Sequence, residues 1–293
     1  MSMTPPLRQT AAPRLEDEWF DIIQKARWGL GWSLADAARA ANVSFETLEL
    51  WESGRGSPPP AHLAALARAL GLDAAKLSAI QEGGGVPSPQ PREGGGPVRY
   101  AVLTGQMRGY PVHAYLIFRE GSADAALIDT GYDPIHALEA VAQRRLLLRW
   151  IALTHCHRDH MEGASFLKAQ TGARVAVPAA EWGVYRAHHG EPADLAVSDG
   201  STIEVGPDLF LRPLPTPGHT AGGTCYAVDR LCCVGDALFA GSTGRSMSPA
   251  GYASLLASVR ERVLSLPADT VLLPGHGPIT TVGEERRNNP FFP

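Results

Sequence analysis

Apolar positions in the first part of the chain recur at spacings of three and four. Trp19, Ile22, Ile23 and Ala26 fall on one side of a helix, as a period of about 3.6 residues requires. Ser33, with Asp36 three residues on, is expected to cap a second helix, and Ser44 a third that carries Thr47 and Leu48. Pro58-Pro59-Pro60 ends that stretch; Leu63, Leu66 and Leu70 mark a fourth helix closed by Gly71, and Asp73 caps a short fifth. The pattern predicts a small all-α domain over 16–80, behind a polar, Pro-containing tail over 1–15 that is expected to be disordered. Residues 81–97, QEGGGVPSPQPREGGGP, keep no apolar period and read as a flexible Gly/Pro-rich linker. Such a linker predicts no rigid coupling between the parts it joins, unless dimerisation supplies it.

From residue 98 the pattern changes. Short apolar runs predict strands at 113–118, 126–129, 148–154, 173–177, 209–213, 224–228, 231–235 and 271–274. Helical periods fall between them at 134–145, 162–171, 179–188 and 249–265. Residues 98–293 therefore read as an α/β domain with a sheet core and helices outside.

Composition narrows the function classes. The chain has 293 residues, 44% of them hydrophobic, enough for two domains with cores. A formal net charge of −4 supplies no global basic field to attract nucleic acid or an anionic membrane. Cys156, Cys225, Cys232 and Cys233 suggest no disulfide framework, which points to a reducing compartment. No secretory h-region and no run of 18 apolar residues is visible. A cytoplasmic protein without a membrane span is expected.

The chemistry sits where a strand ends. Residues 148–154 run into His155-Cys156-His157-Arg158-Asp159-His160. At a strand spacing of two, His155 and His157 share a side and can share a metal, while Cys156 points away. Asp159 and His160 aim at a second nearby point. Three further strands end in ligand-type residues beside glycine: Pro217-Gly218-His219, Gly235-Asp236 and Pro274-Gly275-His276. Imidazole and carboxylate suit Zn²⁺, Fe²⁺ or Mn²⁺. These seven residues are donors for one ion or two, with Asp236 able to bridge. Two ions could share a hydroxide as nucleophile and polarise a carbonyl, which gives Asp159, His160 and Asp236 catalytic roles.

This arrangement resembles the metallo-β-lactamase superfamily across nearly all of 98–293. Thr154–His160, Thr216–Thr220, Gly235–Arg245 and Leu273–Phe292 are most similar to its hydroxyacylglutathione hydrolase (glyoxalase II) branch. The resemblance implies an αββα sandwich. It implies one ion on His155, His157 and His219, a second on Asp159, His160 and His276, and Asp236 between them; zinc is the expected metal, with iron or manganese as alternatives. It further implies that Asp129 orients a ligand histidine and that Arg245 contacts substrate. The implied activity is hydrolysis of a small-molecule thioester. An iron persulfide dioxygenase, using His155, His219 and Asp236, is the alternative within the superfamily. Glu162 stands where the family usually has glycine, and would sit near the metal rim or cap the following helix.

Residues 28–71 resemble the Cro/repressor (XRE-type) helix-turn-helix through Ser33-Leu34-Ala35, Ala40, Asn42-Val43-Ser44, Leu50-Trp51-Glu52, Gly54 and Pro58. The resemblance implies a recognition helix at about 44–52, with Ser44, Thr47 and Arg55 as candidate DNA contacts. Glu46, Glu49 and Glu52 are expected on its exposed face, where they would repel phosphates. Residues 14–80 hold seven Lys or Arg against nine Asp or Glu. A DNA-binding regulator with a metabolite-sensing metallo-β-lactamase domain is therefore a third reading, and a dimerisation module a fourth.

Overall fold

The computed structural model describes residues 14–88, 90, 93–94 and 96–293. Residues 1–13, most of the expected tail, lie outside the described residues.

Five helices come first: α1 (Trp19–Gly29), α2 (Leu34–Ala40), α3 (Phe45–Glu52), α4 (Pro60–Ala69) and α5 (Ala74–Gln81). Their starts are chemical. Ser33 Oγ accepts the Asp36 N–H at 3.2 Å and Ser44 Oγ the Thr47 N–H at 3.1 Å. Asp73 Oδ1 accepts from both Ala75 and Lys76. Each cap satisfies N–H groups that a first turn leaves without an intrahelical partner. Trp19, Ile22, Ile23 and Ala26 are all buried.

The first sheet carries β1 (Glu93–Gly94), β2 (Val98–Met107), β3 (Tyr110–Arg119), β4 (Asp124–Ile128), β5 (Leu147–Ala152), β6 (Arg174–Pro178) and β7 (Leu195–Val197). Helix α6 (Pro134–Gln143) crosses from β4 to β5; the short α7 (Arg158–Met161) and α8 (Ala164–Thr171) join β5 to β6; α9 (Trp182–His189) leads to β7. Among the described residues this sheet has seven strands in sequential order. Pairing is antiparallel from β1 to β4 and parallel from β4 to β7.

The second sheet is built from β8 (Ile203–Gly206), β9 (Leu209–Pro215), β10 (Thr224–Val228), β11 (Leu231–Gly235), β12 (Val271–Pro274) and β13 (Thr280–Thr281). Helix α10 (Pro249–Ser258), extended by a π-helical turn at Val259–Val263, falls between β11 and β12, and α11 (Val282–Asn288) follows β13. The two sheets pack face to face through Tyr100, Ile117, Trp150, Tyr226 and Leu273. Helices α6, α8 and α9 cover the outside of the first sheet. The result is the αββα sandwich.

What covers the outside of the second sheet corrects the expectation of loose coupling. Cys225, Ala227, Cys232 and Val234 alternate outward from β10 and β11. They join one apolar core with α10, Phe291, Phe292 and the buried side chains of all five N-terminal helices. Small residues on that face leave room for a second layer. Polar ties reinforce it: Asp73 N–H to the Pro290 carbonyl at 2.9 Å, and Lys76 Nζ to the Phe292 carbonyl at 2.5 Å. Within the Gly/Pro-rich stretch, Ser88 N–H donates to Glu284 Oε1 at 2.7 Å, and Glu93–Gly94 pairs with β2 as an edge strand. Composition alone predicts a flexible tether there; the partners that hold it come from the far end of the chain.

Candidate metal centre

His155 lies three residues beyond the end of β5, after the buried Leu153 and Thr154. His157 starts the short helix α7, which carries Asp159 and His160. His219 lies on the turn between β9 and β10, Asp236 just after β11, and His276 just after β12. All seven ligand-type residues therefore sit at one end of the sandwich, beyond the strands' carboxyl ends.

Their inward atoms converge. His155 Nε2 and His219 Nε2 each lie 3.0 Å from His157 Nδ1. His276 Nε2 lies 3.4 Å from Asp159 Oδ2, and His160 Nε2 lies 3.8 Å from the same oxygen. Asp236 stands between the two groups, with Oδ1 3.3 Å from His160 Nε2 and Oδ2 3.5 Å from His219 Nε2 and 3.6 Å from His276 Nε2. Three sets of donors are each mutually within 4.8 Å: His155-His157-His219, His155-His160-Asp236 and Asp159-His160-His276.

The donor set fits metal ions. Ligands about 2.0–2.1 Å from a tetrahedral ion stand roughly 3.3 Å from one another, which is the spacing found. His160 Nε2 and Asp236 Oδ1 are buried and have no hydrogen-bond partner of good geometry among the described residues. Outward hydrogen bonds fix the tautomers. His219 Nδ1 donates to the Arg245 carbonyl at 2.8 Å and His276 Nδ1 to the Pro111 carbonyl at 2.8 Å, because a carbonyl can only accept. Asp129 Oδ2 accepts from His160 Nδ1 at 2.8 Å and from Thr154 Oγ1 at 2.8 Å. Thr154 Oγ1, having donated, accepts from His155 Nδ1 at 3.0 Å. In each of these four histidines Nε2 is thereby left with a lone pair aimed at the centre.

Without metal the charges interlock. Burial disfavours a charge on His160, but Asp236 and Asp129 outweigh it and raise its pKa well above the usual value. Burial also opposes ionisation of Asp236, yet the His160 and His276 rings hold its carboxyl well below the ordinary range. Burial, then the neighbouring His160, pushes His155 well down.

Gly275 and Gly244 are close-approach positions. A methyl group on Gly275 would overlap Asp236 Oδ1 and stand 2.6 Å from His160 Cε1; one on Gly244 would overlap the Asp236 carbonyl and stand 3.0 Å from His219 Nδ1. Beside the cluster, a cavity of about 480 Å³ is lined by Met107, Arg108, Tyr132, His157, Arg158 and Asp159.

A sequence model of the metallo-beta-lactamase superfamily matches residues 107–276. The chain belongs to this superfamily. A helix-turn-helix domain model matches residues 6–80. The hydroxyacylglutathione hydrolase GloC of Haemophilus influenzae is 29% identical over 193 residues, covering 58% of this chain and 87% of that protein. Among solved structures, ETHE1 from Myxococcus xanthus aligns with a TM-score of 0.56 at 28% identity, covering 64% of this chain and 83% of its own. TTHA1623 in a di-iron-bound form aligns with a TM-score of 0.53 at 28% identity, covering 65% of this chain and 100% of its own.

In this chain of the metallo-β-lactamase superfamily one residue near the centre, Glu181, carried no signal in the sequence. Glu181 is buried; it accepts the Cys156 N–H at 3.3 Å and the Gly222 N–H at 2.8 Å, tying two ligand-bearing loops together. Cys156 is buried on the helix-covered side of the first sheet, and its burial raises the thiol pKa. Glu162 pairs with Arg158 at 3.1 Å and lies 3.1 Å from His188 Nε2, so its carboxylate is taken up by these two side chains. Arg245 is exposed, and its guanidinium lies 3.7 Å from the centre of the Trp28 ring.

Ser44 and Thr47 lie at the start of α3, and Arg55 lies just beyond its other end. Ser44 and Thr47 hydroxyls are 3.0 Å apart in the cap of α3, and Arg55 Nε donates to Ser53 Oγ at 2.9 Å. Glu46 and Glu49 are exposed as expected. Glu52 is not: both its oxygens take Arg27 at 2.6 Å, and its side chain is 6% exposed. The helical period puts it beside the other two acids, but α1 packs against that edge of α3 and brings Arg27 to it. Among the described residues no helix is long and apolar enough to cross a membrane.

Proposed function

We propose that the chain is a dinuclear metallohydrolase of thioesters. His155, His157 and His219 would hold one divalent ion, Asp159, His160 and His276 the other, and Asp236 would bridge. The observation that carries this reading is the position of Asp236, one oxygen facing His160 and the other facing His219 and His276. Two ions, when bound, supply an ionised water near neutral pH and polarise an acyl carbonyl.

The chain's own residues present and hold lone pairs. Asp129, Thr154 and the carbonyls of Arg245 and Pro111 keep the Nδ1 protons of four histidines on the outside. The inward groups are acceptors, so the centre favours a leaving group that departs as an anion without a general acid. A thiolate, with a pKa of about 8.5, does so. The likeness to a hydroxyacylglutathione hydrolase supports the same substrate class. Arg108 and Arg158 beside His157 and Asp159 suit a substrate with negative charge. Zinc, iron and manganese all accept these donors.

The test is release of free thiol from a panel of acyl thioesters by the metal-loaded chain. His155→Ala should lose metal and turnover together; full turnover in that variant contradicts the reading. The likeness to ETHE1 supports a second reading, an iron persulfide dioxygenase on His155, His219 and Asp236. Oxygen uptake with glutathione persulfide and no thioester turnover would establish it instead. DNA binding through Ser44, Thr47 and Arg55 rests on the helix-turn-helix match; exposed Glu46 and Glu49 weigh against phosphate contact there.

A further inference from the structure

We propose that Lys25, on the first helix of the helical domain, is a positioning residue for the metal centre. It holds the loop 237–245 in place against Asp236, His219 and His276, so that docking of the helical domain and retention of metal are linked, each favouring the other. The inference rests on the metal centre proposed above and not on its substrate.

The loop 237–245 is a common support for ligands of both ion sites. Asp236 stands at its start. The Phe239 ring meets His276 edge-on, with centroids 5.7 Å apart. Gly244 packs against the Asp236 carbonyl and His219 Nδ1, and the Arg245 carbonyl accepts the His219 Nδ1 proton. Displacement of this loop therefore moves Asp236, His219 and His276 together. The helical domain grips the loop at alternate residues. Lys25 Nζ stands 4.8 Å from the Phe239 ring centre and donates to the Thr243 carbonyl at 2.9 Å. Between those two points, a methyl on Gly241 would stand 3.3 Å from Ile80 Cδ1 of α5 and 3.6 Å from Leu15 Cδ1. Just before α1 the chain also crosses the His276 loop: a methyl on Gly277 would stand 2.9 Å from Glu16 Cβ. Helix α1 is itself seated closely, because Gly29 lies on the Tyr252 ring of α10, where any side chain would overlap it.

Lys25 is no ordinary surface lysine. Its side chain is 15% exposed, and that of its ion-pair partner Asp17 is 9% exposed. A mostly buried ammonium needs a counter-charge and acceptors. Asp17, the Thr243 carbonyl and the Phe239 face supply them. Such a pair adds little net stability over apolar side chains of similar size. What it adds is a donor in a fixed place, and that place is the Thr243 carbonyl, two residues before the carbonyl that sets the His219 tautomer. By charge alone an ammonium beside the centre repels a divalent ion. Any help that Lys25 gives to metal retention therefore comes through the position of the loop, and the two effects differ in sign.

The experiment follows metal retention by the full chain against graded chelator, together with the visible spectrum of the cobalt-loaded protein. Lys25→Met combined with Asp17→Asn removes both charges, so the net charge is unchanged and no carboxylate is left unpaired. This double variant should retain metal about tenfold less well than wild type, and its cobalt spectrum should shift because His219 and Asp236 have moved. Lys25→Arg, which can still donate to both partners, should restore retention and spectrum. Lys76→Met breaks a tie of the same kind, to the Phe292 carbonyl, that does not touch the loop; it should behave as wild type. Lys25→Gln covers the case in which the double variant does not fold. It is one bond shorter than lysine and cannot span Asp17 and Thr243. With one positive charge fewer it should bind a cation more tightly on charge alone, whereas the proposal expects weaker retention. Retention in Lys25→Gln equal to or better than wild type overturns the proposal, as does an equal loss in Lys76→Met. Wild-type protein that retains no metal would instead remove the metal centre itself, and this proposal with it.

Discussion

Asp129 Oδ2 lies 2.8 Å from Nδ1 of His160, while its other oxygen accepts the Thr154 N–H at 2.7 Å. One carboxylate thereby fixes the tautomer of a ligand-type histidine and, through Thr154 Oγ1, the orientation of another, His155. Asp129 reaches this position from a left-handed backbone conformation, φ 59°, at the end of β4.

Asp129→Asn tests that arrangement. The amide can still accept from Thr154 N–H, but its NH₂ then faces His160 Nδ1 and favours the tautomer with the proton on Nε2. That proton would block the lone pair aimed at the centre. Metal retention should fall about 10- to 100-fold, the usual effect of losing such a partner. Metal content after dialysis against graded chelator measures it, and unchanged retention would count against the tautomer argument.

Glu181 links the His155–His157 loop to the loop that carries His219. Glu181→Gln leaves one acceptor for two buried N–H groups and sets an NH₂ against one of them. A cost of about 1–3 kcal/mol is expected, read as a lower denaturation midpoint in urea. A midpoint equal to wild type would show that water or backbone movement replaces the carboxylate.

Glu285 supplies the pH prediction. It is fully buried behind the second sheet, and burial pushes its pKa from 4.5 up to about 7 despite hydrogen bonds from Thr280, Asn289 and Gly241. The unfolded chain therefore releases this proton at lower pH than the folded chain does. Stability from this group is fully present below pH 4.5 and is lost as pH rises to about 7. The loss amounts to a few kcal/mol, roughly 3 at most. Glu285→Gln can donate to Thr280 Oγ1 and accept from Gly241 and Asn289. It should be about as stable as wild type near pH 5 and more stable at pH 8, by denaturant titration at both values. An equal difference at the two values contradicts the account.

Gly29 tests the shared core. The N-terminal helices and α10 belong to one apolar cluster, so the chain should unfold in a single transition. Gly29→Leu forces a side chain into the Tyr252 ring and should cost about 1–3 kcal/mol. It should also expose the 81–97 segment to protease. Two separate transitions in the wild-type chain would show that the domains are independent.

Much of this was legible in the sequence because it is local. The His-x-His-x-Asp-His spacing, the glycines beside His219, Asp236 and His276, and the caps at Ser33, Ser44 and Asp73 each occupy a few consecutive residues. Their chemistry follows from those residues alone. Contacts between distant segments left no such trace. Arg27 claims Glu52 from another helix, Trp28 meets Arg245 from a different domain, and Glu181 looks like any acid at a helix start. The Gly/Pro-rich segment misled for the same reason: its composition reports its intrinsic freedom, whereas Glu284 and β2 hold it from outside.

The central claim is that these seven residues hold two ions with Asp236 between them. Elemental analysis of metal per chain, on wild type and His276→Ala purified without added metal or chelator, tests it most directly. About two equivalents in wild type and about one in His276→Ala are predicted. One equivalent in both proteins would contradict the dinuclear centre.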